Sequence, residues 1–325
     1  MNLRTAVLIP CFNEEHTVGV VINNFRKALP EAEIYVYDNN SNDLTCAVAK
    51  AAGAIVRREL YQGKGNVVRR MFADIEADIY VLVDGDATYD ASAAPLMVAT
   101  LCKKNLEYVN GARRAISANA YRAGHAFGNK ILTGLVRKIF GAQFADMLSG
   151  YKIFSRAFVK SFPALSNGFE IETELTVHAL ELRLPCEEVV INYGERPEGS
   201  ISKLNTFRDG WRILKQIVVL VKNERPMLFF GGVGIFSILC ATGIALPLLT
   251  TYLKTGLVPR LPTAILATGL VIVGLQSIST GILLDTVTRG RRELKRIAFL
   301  NAKSQSRNER GDRVAMAGNT TSAIR

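Results

Sequence analysis

Two aspartates with one residue between them stand out as candidates for chemistry, because they follow an apolar run. Asp84 and Asp86 flank Gly85 and come directly after the sequence YVLV. An Asp pair at the end of a buried strand offers a hard cation two carboxylate oxygens. A Mg²⁺ or Mn²⁺ ion held in this way keeps positions open for substrate phosphates and neutralises the charge of a departing diphosphate. A solvated turn is the alternative, and the position after the apolar run favours the metal site.

Further polar residues follow other predicted strands of the chain. The three sets of strand-end residues are Asn13 with Glu14, Asp38 with Asn39, and Asp84 with Asp86. Predicted strands and helices alternate through this part of the chain, which favours an α/β domain with a mostly parallel sheet and helices on both faces. Ligands of such sheets bind at the carboxyl ends of the strands, so the three sets are expected to converge on one crevice.

The elements that must position these residues can be placed from apolar periodicity and turn residues. Strands are predicted at 5–9, 34–37, 54–57, 79–83 and 108–110, and helices at 14–29, 44–52, 63–77 and 93–104. Asn13 is expected to cap the first helix, which would begin with Glu14 and Glu15 at its positive end. The chain has no G-x-G-x-x-G after the first strand and no P-loop sequence. Their absence argues against a dehydrogenase and against a P-loop nucleotide hydrolase.

The amino-acid composition limits the kinds of molecule that the protein is expected to bind. The chain of 325 residues is 49% hydrophobic and carries 40 Lys and Arg against 29 Asp and Glu, a net charge of +11. More than half of this excess lies from Asp285 onward, so the basic character belongs to a tail and no nucleic-acid partner is expected. The five cysteines are scattered and form no C-x-x-C, which suits a reducing compartment.

Two uncharged stretches near the C-terminus predict a transmembrane hairpin. Residues 227–253 and 261–284 contain no charged side chain, and each stretch exceeds the roughly 20 residues that a helix needs to cross a bilayer. Basic residues are enriched outside the two stretches and sparse between them, so both ends are expected to be cytoplasmic. A pair of buried helices in a soluble core is the alternative. Small residues in the stretches would permit a homo-oligomer.

These features divide the chain into predicted domains at an inner, cytoplasmic membrane. The segments are a cytoplasmic α/β domain at 1–204, a juxtamembrane amphipathic helix at 205–226, spans at 227–253 and 261–287, and a basic, partly disordered cytoplasmic tail at 288–325. Residues 115–141 and 205–222 mix basic and apolar side chains, including Trp211. They are predicted to lie on the membrane surface, with core-facing helices as the alternative.

Seven motifs in a fixed order resemble those of the family 2 glycosyltransferases, and more narrowly those of the polyprenyl-phosphate glycosyltransferases. They are PCFNEE at 10–15, YDNNSND at 37–43, GKGNVVRRM at 63–71, LVDGD at 82–86, GARR at 111–114, D-x-L-S-G-Y-K at 146–152 and R-P-E-G-S-x-S-K at 196–203. The resemblance covers about residues 4–225. It implies a Rossmann-like GT-A fold, a nucleotide-sugar donor, Mg²⁺ or Mn²⁺ as cofactor, and inversion at the anomeric carbon.

The resemblance also implies roles for individual residues. Those expected to bind the nucleotide sugar are Pro10, Phe12, Glu14, Asp38, Asn39, Lys64, Asp84, Gly85, Asp86 and Arg113. Those expected to bind the acceptor phosphate are Arg196, Ser202 and Lys203. Asp86 and Asp146 are expected to be catalytic, although Asp146 equally suits an ordinary turn cap. Surface roles are the alternative for Arg113 and Lys203. The acidic residues of FEIETEL at 169–175 open a predicted helix, where carboxylates are favoured anyway, and are assigned no chemistry.

The implied acceptor is polyprenyl (undecaprenyl) phosphate, a membrane lipid used in cell-envelope glycan modification. A phosphate monoester has a second pKa of about 6 and is already a nucleophile at neutral pH. Positioning and charge neutralisation are therefore expected to outweigh general-base catalysis. UDP-glucose or UDP-GlcNAc is the favoured donor, with GDP-mannose behind. A processive polysaccharide synthase and a non-catalytic membrane scaffold are the alternative functions; the chain lacks the Q-x-x-R-W motif of the former.

Overall fold

The computed structural model describes residues 3–115, 134, 137, 144–194, 215 and 218–322, with side chains described as far as residue 309. The chain divides into two compact units. The first comprises Met1–Gly210 together with Lys295–Arg325, and the second comprises Trp211–Leu294. The residues from Lys295 onward therefore group with the α/β unit, which the sequence did not lead us to expect.

The described residues of the first unit form one mixed sheet of seven strands. The strands are β1 (Thr5–Cys11), β2 (Glu33–Asp38), β3 (Ile55–Arg58), β4 (Ile79–Leu82), β5 (Tyr108–Ala115), β6 (Lys152–Ser155) and β7 (Cys186–Tyr193). Their order across the sheet is β3-β2-β1-β4-β6-β5-β7. β6 runs antiparallel to both of its neighbours, and the other pairings are parallel. The predicted mostly parallel sheet is confirmed.

Helices follow most of the strands. Those of the first unit are α1 (Val18–Ala28), α2 (Thr45–Ala51), α3 (Lys64–Asp74), α4 (Ala94–Lys103), α5 (Arg156–Ser161) and α6 (Ile171–Glu181). The central strands are buried on both sides, as their unbroken apolar runs predict. Val7 and Ile9 of β1, for example, belong to one core cluster with Ile22 and Phe25 of α1. This core fixes the strand ends from which the site is built.

The predicted start of the first helix is wrong. α1 begins at Val18, and the preceding residues form a turn in which the backbone N–H of Val18 donates to the carbonyl of Glu14. Asn13 has a φ of +52° and does not cap the helix. Its backbone N–H donates to Ser41 Oγ at 2.8 Å, and its Oδ1 accepts from the backbone N–H of Asn42 at 2.9 Å. Asn13 thus joins the loops that follow β1 and β2.

Two long apolar helices close the chain. They are α7 (Pro226–Thr255) and α8 (Leu261–Ser322), and both contain stretches long and apolar enough to cross a membrane. Large apolar side chains on them, such as Phe236, Leu253 and Ile265, are mostly exposed. This exposure does not fit the alternative of buried helices in a soluble core. It is consistent with a transmembrane hairpin.

The C-terminal part of α8 differs from the predicted tail, because it continues as helix to Ser322 rather than becoming disordered. Within the first unit, Lys295 Nζ lies 2.6 Å from Glu181 Oε2, and Lys303 Nζ lies 2.6 Å from Glu107 Oε1. Phe299, which lies between these two lysines in the sequence, is buried. The polar segment that was expected to be disordered is thus helical and has a face that packs on the α/β unit.

Two glycines bring the helices of the second unit together. A Cβ built on Gly234 would lie 2.6 Å from the carbonyl oxygen of Gly274, and one on Gly274 would lie 2.9 Å from that of Gly234. Such close backbone approach is typical of helix contacts in membranes, where packing replaces the hydrophobic effect as the source of association.

We expect Gly234→Ala to destabilise the hairpin by about 1–3 kcal/mol, because the added methyl group must push the helices apart. Gly243→Ala is the matched control, since no atom lies within 4 Å of a Cβ at that position of the same helix. Thermal unfolding of the full chain in detergent would measure both. Equal melting temperatures for the two variants would contradict the packing.

Candidate functional site

The carboxyl ends of β1 and β4 meet, as the sequence predicts. A Cβ on Gly85 would lie 2.7 Å from Cys11 Sγ, so the turn that carries Asp84 and Asp86 lies against the end of β1. The Asp84 side chain is 28% exposed, whereas Asp86 is buried. Asp86 Oδ1 accepts from Thr88 Oγ1 at 2.6 Å, which fixes its orientation.

A buried lysine lies beside the first of these aspartates. Lys64, at the start of α3, donates from Nζ to Asp84 Oδ1 and to Glu172 Oε1, the latter at 2.6 Å. The side chains of Lys64 and Glu172 are only 7% and 9% exposed. Burial opposes a charge on Lys64, but the carboxylates of Asp84 and Glu172 outweigh it and raise the pKa of the ammonium. The site therefore contains a protonated lysine between two carboxylates.

Glu172 is a site residue that sequence reasoning missed. It lies in the first turn of α6, and its carboxyl contacts the Lys64 ammonium. Burial raises the pKa of Glu172, although Lys64 beside it acts in the opposite direction. Nine of the eleven residues of α6 are buried, Glu172 among them, so no single buried face of the helix marks this carboxylate. From the sequence, only a helix-start preference was inferred.

Lys64 is placed by close backbone packing around it. Gly63 has a φ of +131°, which favours glycine, and a Cβ on Gly65 would overlap with the carbonyl oxygen of Ser166. The backbone N–H of Gly65 donates to the carbonyl of Asn167 at 3.0 Å. The glycines beside Lys64 thus allow the protein's own loop to approach closely.

Asn39 supports the loop that leads to Lys64. Its Nδ2 donates to the carbonyls of Glu59 at 3.0 Å and Tyr61 at 2.8 Å, and its Oδ1 accepts from the backbone N–H of Gly63 at 2.7 Å. Asp38 is also buried, and both of its carboxylate oxygens accept from the backbone N–H of Ser41. Contact of Asp38 or Asn39 with a nucleotide base stays a prediction.

Arg113 and Asp146 form an ion pair at the end of β5. Arg113 donates from Nε to Asp146 Oδ2 at 2.6 Å and from Nη2 to Oδ1 at 2.8 Å. The guanidinium also lies over the ring of Tyr193, 5.4 Å from its centroid. Glu188 accepts from the backbone N–H groups of Ala145 and Asp146, which holds the turn in place. The structure gives Asp146 a fixed cationic partner, while its catalytic role stays a prediction.

A fully buried lysine connects this turn to α6. Lys152 Nζ has four neutral acceptors around it: Tyr108 Oη at 2.8 Å, Asn110 Oδ1 at 2.9 Å, and the Met147 carbonyl and Thr176 Oγ1 at 3.3 Å each. Asn110 in turn donates to the carbonyl of Asp146. Lys152 is therefore a structural link between the turn of Asp146 and the helix of Glu172.

We expect Lys152 to make stability depend on pH. Burial lowers the pKa of Lys152 to about 8, although the carboxylates of Glu172 and Asp146 oppose the shift. The unfolded chain therefore binds more protons between about pH 8 and 10.5, and the unfolding free energy rises with pH in that window, by on the order of 2–3 kcal/mol. Lys152→Met should lack this rise. Chemical unfolding of both proteins at pH 7.5 and 10 measures the difference, and parallel pH dependences would contradict it.

The remaining predicted site residues fall into two groups. Pro10, Phe12 and Glu14 lie at or just after the end of β1 and are partly exposed there. Their contact with a nucleotide stays a prediction. Arg196, Ser202 and Lys203, the predicted acceptor-phosphate residues, lie outside the described residues, as do most of the two predicted interfacial segments.

The donor set at the strand ends suits a hard divalent cation that is shared with a substrate. In the described part of the chain, no group of three or more His, Cys, Asp and Glu side chains could hold a metal ion. Asp84 and Asp86 supply carboxylate oxygens, and Asp84 already pairs with one cation, the ammonium of Lys64. Mg²⁺ and Mn²⁺ are commonly held by one or two carboxylates plus substrate phosphates, which this pair fits.

Comparison with known proteins gives consistent matches. The family model "Glycosyl transferase family 2" matches residues 6–162. The glycosyltransferase AglJ of Haloferax volcanii is 33% identical over 298 residues, 90% of this chain and 97% of its own. A dolichyl-phosphate hexose transferase of the same organism is 26% identical over 223 residues, 69% of this chain and 96% of its own. A solved complex of glucosyl-3-phosphoglycerate synthase from Mycobacterium tuberculosis with Mn²⁺, UDP and glucosyl-3-phosphoglycerate has a TM-score of 0.56 at 24% identity, covering 68% of this chain and 80% of that one.

Proposed function

This chain belongs to glycosyltransferase family 2, and on that premise we propose that it transfers a sugar from a nucleotide-sugar donor to a polyprenyl phosphate. The sheet order and the structural match confirm the expected GT-A fold, followed by two apolar helices. The observation that carries the proposal is the meeting of Asp84, Asp86 and Lys64 at the strand ends. Carboxylates for a metal and a cation for phosphates are what departure of a nucleoside diphosphate requires.

Each of the site residues has its own role in the proposed reaction. Asp84 and Asp86 would hold Mg²⁺ or Mn²⁺, which supplies positive charge to the donor diphosphate when bound. Lys64 would contribute a point charge to the same diphosphate, and the guanidinium of Arg113, which pairs with Asp146, would add positive charge for a phosphate. An oxygen of the acceptor phosphate attacks the anomeric carbon of the sugar, the bond to the diphosphate breaks, and the configuration inverts. No proton has to be removed from an acceptor that is already ionised.

The lipid acceptor is supported by the two apolar helices and by the dolichyl-phosphate hexose transferase relative. We propose that α7 and α8 cross the cytoplasmic membrane with both ends on the inner face. Arg289, Arg291, Arg292 and Lys295 follow the second apolar stretch, whereas the segment between the two uncharged stretches holds only Lys254 and Arg260. This distribution follows the positive-inside rule.

The test uses the purified full chain in detergent with undecaprenyl phosphate, Mn²⁺ or Mg²⁺, and a panel of radiolabelled donors headed by UDP-glucose, UDP-GlcNAc and GDP-mannose. We expect label from one donor to enter the organic phase and a chelator to prevent it. Nucleotide binding without lipid labelling from any donor would contradict the proposal that polyprenyl phosphate is the acceptor. Absence of nucleotide binding with either metal would favour the non-catalytic scaffold instead.

A further inference from the structure

Asp84 has two possible cationic partners, the ammonium of Lys64 and a divalent metal ion. In the structure its Oδ1 accepts from the Lys64 ammonium, which also contacts Glu172. A divalent ion at Asp84 would lie close to that ammonium. Like charges this close repel, and the double charge of a divalent ion doubles the repulsion that a single charge would exert. This repulsion favours release of Lys64 from Asp84 when a metal ion binds there.

We propose that Lys64 is an internal counter-cation that a divalent metal must displace from Asp84, and that Glu172 is the positioning residue that retains Lys64 when this happens. The inference rests on the metal site of the proposed function and is independent of the lipid acceptor. It gives a role to Glu172, whose only sequence signal was its place at a helix start.

The geometry around Lys64 supports an exchange of partners over a short distance. Its backbone is fixed by the contact between Gly65 and Asn167, so only the flexible side chain has to move. Glu172 is fixed as well, because it lies in the first turn of α6 and is almost fully buried. The Phe169 ring, 5.9 Å from Nζ, covers part of the remaining space. An ammonium released from Asp84 therefore still has a buried carboxylate beside it.

The exchange has a measurable consequence in the absence of any sugar donor. If Lys64 occupies Asp84 for 90–99% of the time, the apparent metal affinity is about 10- to 100-fold below that of the free carboxylates. Removing the ammonium should therefore tighten metal binding, although it removes a residue that the reaction needs. Removing Glu172 should weaken metal binding, because Lys64 then has Asp84 as its remaining carboxylate partner among the described contacts.

The experiment measures Mn²⁺ binding to the full chain in detergent, without nucleotide, from the electron paramagnetic resonance signal of free Mn²⁺. We expect Lys64→Met and Lys64→Gln to bind Mn²⁺ about 10- to 100-fold more tightly than the wild type. Glu172→Gln should bind more weakly, and its effect should shrink in the double variant with Lys64→Met. Circular dichroism checks that each variant is folded.

Lys152→Met is the control for a general loss of positive charge, because Lys152 is also a buried lysine but contacts neutral acceptors. An equal gain in affinity from Lys152→Met would overturn the proposal, and so would unchanged or weaker binding by both Lys64 variants. If no variant binds Mn²⁺ even after UDP is added to supply phosphate ligands, the metal site itself fails and the proposed function fails with it. If Mn²⁺ binds but its affinity is the same in the wild type and in the Lys64 variants, only the proposed exchange is overturned.

Discussion

Asp84→Asn and Asp86→Asn should each reduce the rate of sugar transfer by at least about 10²–10³-fold, the largest effect that we expect from single conservative changes. Each replaces a charged oxygen donor by a neutral amide and leaves the side chain nearly the same size. Asp86 is buried and hydrogen-bonded to Thr88, so its carboxylate is already oriented. Initial rates with saturating donor, together with Mn²⁺ affinity, measure the loss.

Asp146→Asn is the comparison that separates metal chemistry from base catalysis. An ionised acceptor phosphate needs little help from a general base, so this change should cost less activity than loss of Asp84 or Asp86. It should also lower stability, because Arg113 would lose the carboxylate that pairs with it. An inactive Asp146→Asn variant beside an active Asp86→Asn variant would refute this mechanism.

Gly150→Ala is expected to reduce transfer about 100-fold by displacing Asp84. A Cβ at Gly150 would overlap with Asp84 Oδ2, and the backbone cannot easily retreat because the Gly150 N–H donates to Tyr89 Oη at 2.7 Å. A displacement of about 1 Å at a catalytic group can cost this much in rate. The metal affinity should fall together with the rate, since the same carboxylate serves both.

Gly194→Ala is the control for this change. The nearest atom to a Cβ at Gly194 is the carbonyl oxygen of Thr88 at 3.8 Å, an ordinary contact distance. Both glycines adjoin the same edge of the sheet, so a loss of activity in both variants would indicate general sensitivity to glycine replacement. Retention of activity by Gly150→Ala would show that the Asp84 carboxylate tolerates displacement.

Features encoded in contiguous residues were predictable from the sequence. The apolar runs of β1, β2 and β4 marked buried strands, and the residues after β1 and β4 do meet at one edge. The wrong start of α1 has a non-local cause: Asn13 bonds to Ser41 and Asn42 on another loop rather than to its own helix. No pattern within residues 13–18 encodes those partners.

In the candidate site too, features encoded by neighbouring residues were predictable and features that depend on distant residues were not. The Asp84 and Asp86 pair follows a strand and could be found from spacing. The partners of Lys64 come from the turn after β4, 20 residues away, and from α6, 108 residues away. The pairing of Arg113 with Asp146 likewise joins two motifs that the sequence keeps apart. The role of an ionisable residue depended in each case on a partner that only the folded chain brings near.

The place of β6 in the sheet has a consequence for how the protein is made. β6 lies between β4 and β5 in the sheet. Each of these two strands therefore lacks β6 as its neighbour until the chain has been synthesised as far as Ser155. At 5–20 residues per second, the ribosome needs roughly 4–15 s to pass from the end of β4 to the end of β6. The buried edge of β4 stays unpaired for that time, which exposes a nascent chain to misassembly. We expect chains released between residues 115 and 152 to aggregate, and chains that include β6 to remain soluble up to the first apolar helix.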